Sequence, residues 1–101
     1  MEWEDETTLK NEILDKIRLH IPDPDYSHLN HLFNTTFKRL HSTVQKFKNF
    51  PLHYMLHLQT IIYPFAHSIL TIDWFLSRET LCARLTAMTV FVNSELDKIN
   101  A

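Results

Sequence analysis

Glycine is missing from all 101 residues of the chain. Glycine supplies the left-handed backbone of tight turns, of two-residue hairpin corners and of loops that cradle phosphates. Its absence argues against β-hairpin folds and against the glycine-rich Rossmann and P-loop nucleotide sites, and favours helices joined by short turns. Cysteine is nearly as scarce. Cys82 is alone, so no intrachain disulfide and no thiolate metal cluster can form. Acid is missing from the middle of the chain: no Asp or Glu lies between Asp25 and Asp73. Bundle di-metal sites need inward carboxylates, and this gap denies them to the two central segments.

The same gap divides the charge. Residues 1–25 carry a net −5, residues 26–72 a net +4, and residues 73–101 a net −1. An acidic arm and a basic middle can attract each other or meet complementary partners. The basic residues Lys38, Arg39, Lys46 and Lys48, with His41 between them, form a small patch. The overall pI near 6.4 and the lack of a recognisable nucleic-acid motif argue against nucleic acid as a partner. The acidic start (Glu2, Glu4, Asp5, Glu6) is the reverse of the basic region that opens a secretory signal. The expected setting is intracellular, in cytoplasm or nucleus, and not secreted.

What the chain has in quantity is apolar residues, and they concentrate between Phe50 and Leu76. His53, His57, Thr60, Pro64, Ser68 and Thr71 recur there every three or four positions, which on a helix makes one narrow polar stripe. The remaining sides are apolar. Its histidines, Gln59, Asp73 and two prolines argue against a membrane span. A helix apolar on nearly all sides must be covered on nearly all sides.

Four helical segments are expected in a single domain, 1–101. The first, about Asp5–Ile21, carries Leu9, Ile13, Leu14, Ile17 and Ile21 at helical spacing, with Trp3 just before it as a candidate anchor. Residues 1–21 thus form an acidic N-terminal helix or arm. Pro22-Asp23-Pro24-Asp25 forms a hinge at 22–25, with Asp25 or Ser27 available to cap the second helix. The helical core spans 26–101. Its first helix, about Tyr26–Phe47, spaces Tyr26, Phe33, Leu40 and Phe47 by seven, with Phe37 and Val44 flanking. The apolar helix comes next, at about 52–76, kinked near Pro64. The last helix starts at a Ser77 cap, with a seam of Leu81, Leu85, Met88, Val92, Leu96 and Ile99. The fold class is all-α: a four-helix up-and-down bundle, or a three-helix unit with a mobile N-terminal helix.

Chemistry is sparse. His28/His31 and His53/His57 have the spacing of paired ligands on one helix, but HYMLH lacks the glutamate of the metalloprotease motif. No metal and no cofactor is expected. Nothing supplies a nucleophile elbow or an oxyanion hole, so the chain is read as no enzyme. Asp73, in an apolar run, is expected to pair with Arg78 or Arg84 at the last corner.

The functional expectation is a non-enzymatic protein–protein interaction module, a small scaffold or adaptor subunit of a multiprotein assembly. It acts through the surface of its apolar helix, as a homodimer or with a protein partner. The candidate contact residues are Ile61, Ile62, Phe65, Ile69 and Trp74. A viral or phage antagonist that masks a host protein is an alternative in the same class. Two others are a helical carrier enclosing an apolar ligand beneath Pro64, and a histidine-based metal bundle.

Overall fold

The computed structural model describes residues 6–100. Glu2, Trp3, Glu4 and Asp5 lie outside the described residues, as do the side chains of Glu6, Thr7, Leu9, Tyr54, Met55, His57 and Leu58. Five α-helices occur: α1 Glu6–His20, α2 Asp25–Lys46, α3 Pro51–His57, α4 Tyr63–Leu70 and α5 Arg78–Ile99. A π-helical turn, Leu58–Ile62, joins α3 to α4. No described residue is in a strand, and none has positive φ. The chain leaves its helices without left-handed residues: Phe47, Thr71 and Asn100 end α2, α4 and α5 with φ of −101°, −103° and −94°. A sequence without glycine can adopt such exits at no steric cost.

The helix signals act where the sequence places them, with three differences. Ser77 caps α5, its Oγ accepting from the Thr80 amide at 3.3 Å. The start of α2 is capped otherwise than expected. Pro24 holds the cap position and its carbonyl accepts from His28 N at 3.3 Å, while Asp25 is already in the first turn. Ser27 turns back instead and donates to Asp23 Oδ1 at 2.7 Å.

Second, the apolar segment runs as one continuous helical stretch, 51–70, whose disturbance near Pro64 is a π-turn, Leu58–Ile62, with Ile62 still helical at φ −72° and ψ −51°. Third, α4 stops at Leu70. The Thr71 amide and hydroxyl both bond the His67 carbonyl, at 3.0 and 2.7 Å, and Asp73 Oδ1 accepts from Phe75 N at 3.0 Å. Thr and Asp side chains compete with helical bonding in this way. Asp73 therefore shapes the corner, and the ion pair expected for it goes elsewhere: Arg78 Nε bonds Asp25 Oδ2 at 3.1 Å.

The bundle is closed in the order α1, α2, α5, α4, each helix packing on the next and α4 on α1. α1, α2, the continuous α3–α4 run and α5 reverse direction in turn, as in an up-and-down bundle, but α2 and α5 are neighbours and run parallel. Asp25 meets Arg78 at their starts, and Thr43 meets Asn100 near their ends. Across the diagonal, Phe33 and Phe37 of α2 reach Phe65 of α4, with ring centroids 6.2 and 6.0 Å apart. These rings fill the centre.

The N-terminal helix is part of this core. Ile13, Ile17 and Ile21 are fully buried in one cluster with Leu29, Phe33 and Leu40 of α2, Ile69 of α4, and Leu81, Leu85, Val92 and Leu96 of α5. Fully burying such side chains stabilises by about 1.5–3 kcal/mol each. The helix that the hinge at 22–25 could have left as a mobile arm packs in cis.

Candidate interaction surfaces

The five residues expected to meet a partner are all taken up by the chain itself. Ile61, Ile62, Phe65, Ile69 and Trp74 are buried to 8 % exposure or less. Their cover comes from α1, α2 and α5. Phe65 is held by Phe33 and Phe37, and Trp74 lies under α1, where His20 stacks on its ring at 5.3 Å and Lys16 Nζ sits 5.9 Å from it. Periodicity alone counts too few helices around α4, because it leaves α1 aside as an arm. The Trp74 indole N–H is buried without a hydrogen-bond partner.

Part of the apolar surface that remains open belongs to α3, and Phe75, Leu19, Val90 and Phe91 are exposed elsewhere. Leu52 is 86 % exposed, Phe50 57 % and Leu56 53 %. Leu52 and Leu56 are four apart and share a helix face. Among the described residues no other helix packs closely on α3; its main neighbour is the π-turn after it. Its orientation is set at its base. His53 stacks on Phe47, at the end of α2, with centroids 6.1 Å apart, and meets the Phe50 ring edge-on at 6.3 Å. Lys46 Nζ lies 5.6 Å from the Phe47 ring. A stack of amphipathic rings thus fixes an exposed apolar helix to the end of the bundle.

A second open feature is a groove of about 410 Å³ between α4 and α5. Ile61, Phe65 and Val92 are buried and form its floor. Ser68 and Ala87 line the gap, and their small side chains leave it unfilled. α4 and α5 are antiparallel, so Ser68 and Arg84 mark one end, and Pro64 and the exposed Phe91 the other.

The basic patch is partly consumed. Arg39 pairs with Asp97, and its Nη1 donates to both the backbone O and Oδ1 of Asn93, each at 3.1 Å. Lys46 donates to Asn100 Oδ1 at 3.3 Å. Lys38 and Lys48 are exposed. Arg39 and Lys46 belong to a repeating joint that sequence reading missed. Asn93 Nδ2 donates to Thr36 Oγ1 at 3.1 Å and to its own helix at Thr89 O, 2.8 Å. Asn100 Nδ2 does the same to Thr43 Oγ1, 3.3 Å, and Leu96 O, 2.9 Å. In each unit the asparagine oxygen takes a cation three residues beyond the threonine. The signal was available: Thr36/Thr43 and Asn93/Asn100 are both spaced by seven, which in parallel helices keeps the pairs in register.

The histidines do not converge. His28, His31, His41, His53 and His67 are exposed, and no group of three or more His, Cys, Asp or Glu side chains is placed to hold a metal among the described residues. Cys82 is half-buried, and burial, with the carboxylate of Asp25 next in weight, pushes its thiol pKa up against the opposing charge of Arg78. Among the described residues no helix is long and apolar enough to cross a membrane. Comparison with protein-family models, curated proteins and solved structures gives no match.

Proposed function

We propose that the chain is a non-enzymatic protein-interaction module, a small helical scaffold or adaptor subunit that works in an intracellular assembly. Its contact surface is α3 with the preceding Phe50, and the buried residues of α4 are its support. One observation carries this reading: Leu52 and Leu56 stand exposed on one face of a helix that the bundle leaves uncovered. A short apolar helix held rigidly off a bundle suits insertion into a groove of another protein, where alternate turns supply the anchors. Fixing its base through Phe47 and His53 lowers the ordering cost of binding. Three of the acids are in ion pairs between or within helices, Asp25 with Arg78, Asp97 with Arg39 and Glu95 with Lys98, which suits a structural role for them.

The test replaces Leu52 and Leu56 together by Glu. The wild-type chain is expected to bind a hydrophobic dye when isolated, or to form a stable complex by light scattering, and the double variant to lose both while keeping its helicity and melting temperature. A wild-type monomer that binds no dye overturns the proposal, as does a double variant that associates like the wild type.

A further inference from the structure

We infer that the groove between α4 and α5 is a binding site for an apolar chain ending in a carboxylate, a medium-chain acyl anion, whose head group pairs with Arg84. The site is separate from α3 and goes beyond the docking role proposed for that helix. Its volume of about 410 Å³ lies in the range of small-molecule sites, and like them it is apolar with few polar groups. Its polar groups are collected at one end. Arg84 makes no ion pair or hydrogen bond among the described residues, and Ser68, across from it on α4, has an unengaged hydroxyl. No carboxylate lines the groove among the described residues, so the guanidinium there has no internal counter-ion. An arginine offers a carboxylate two parallel donors, and a neighbouring hydroxyl can donate a third bond.

The lengthwise sorting decides what fits. An amphipathic helix separates polar from apolar groups around its circumference. An extended amphiphile separates them along its length, head from tail. The groove does the latter: Ser68 and Arg84 at one end, and Pro64 and Phe91 at the other, over a floor of Ile61, Phe65 and Val92. From Arg84 to Phe91 the helix advances about 10 Å at 1.5 Å per residue. An extended acyl chain, built from C–C bonds of about 1.5 Å and advancing about 1.3 Å per carbon, covers that run with about eight carbons.

The test is isothermal titration of the wild-type chain with hexanoate, octanoate and decanoate, and with decanol as the uncharged control. Saturable binding at one site is expected, tightening by up to about fourfold per added methylene until the groove is filled. Arg84→Gln, an exposed position, is expected to weaken decanoate by about two- to fivefold and to leave decanol unchanged. Ala87→Trp fills the groove and is expected to abolish both. Amide chemical shifts should move at Ser68, Arg84 and Phe91. The Leu52→Glu, Leu56→Glu variant should bind decanoate normally, so failure of either proposal is seen apart from the other. The inference is overturned by the absence of saturable binding, or by equal affinity of Arg84→Gln for decanoate. It is equally overturned by shifts confined to α3, or by a helical peptide that fills the groove where decanoate does not.

Discussion

Asn93 and Thr36 bond side chain to side chain across parallel helices, 57 residues apart, at a depth where Thr36 is fully buried. Thr36 Oγ1 also donates to Leu32 O at 2.9 Å, so its hydroxyl is satisfied on both sides. Asn93 in turn takes two bonds from Arg39. The joint is a closed polar unit inside an apolar bundle, and such units are costly to leave half-made.

Asn93→Ala is therefore expected to destabilise by about 1–3 kcal/mol, because it removes the amide that donates to the buried Thr36 hydroxyl and one side-chain acceptor of Arg39, which keeps its bonds to the residue 93 carbonyl and to Asp97. Thr36→Val in that background is expected to cost less than in the wild type, with a coupling of about 0.5–1.5 kcal/mol. Asn100→Ala, at the exposed end of α5, should cost less than Asn93→Ala. Urea denaturation of the single and double variants measures all three. Strict additivity would mean that the two side chains do not share the joint.

Pro64→Ala is expected to change stability by less than about 1 kcal/mol. A proline in a regular helix interior costs about 3 kcal/mol, through a lost backbone bond and the clash of its ring with the preceding turn. Here the turn just upstream is a wider π-turn, which relieves the crowding around the ring. A stabilisation near 3 kcal/mol on substitution would show that the proline is strained.

Cys82 is expected to alkylate slowly. A raised thiol pKa means less thiolate at any pH below it, and the thiolate is the nucleophile. The rate with iodoacetamide against pH should have its midpoint alkaline of free cysteine. Asp25→Asn removes a carboxylate that disfavours the thiolate, so it should move the midpoint back toward acid. An unshifted midpoint, or a shift further alkaline in Asp25→Asn, would contradict the burial and charge pattern around the thiol.

The helices were legible because their signals are local. Ser77 as a cap, the seam of Leu81, Leu85, Val92 and Leu96, and the prolines ending α1 need no knowledge of the rest of the chain. Which helix covers which was not legible. Periodicity shows that Ile61, Phe65 and Ile69 seek cover, yet it cannot tell the cover given by α1 and Phe33 from that of another protein. The form of the disturbance in the apolar helix, a π-turn at Leu58–Ile62, was hidden for a related reason. Pro64 announced a disturbance, but whether the chain answers with a kink or with a π-turn depends on what packs against it. Thr36 and Asn93 escaped notice because each is an ordinary helix residue until the other is placed opposite.

The parallel pairing of α2 with α5 also bears on how the chain is made. The joint's partners are separated by 54 to 58 residues, so nothing on the finished α2 can use them until α5 leaves the ribosome. At synthesis rates of about 5–20 residues per second, Arg39 and the two threonines wait several seconds for their counterparts. During that interval Thr36, Thr43 and Arg39 have only their own helix and water to bond, and α2 gains its polar counterparts when Asn93 and Asn100 are added.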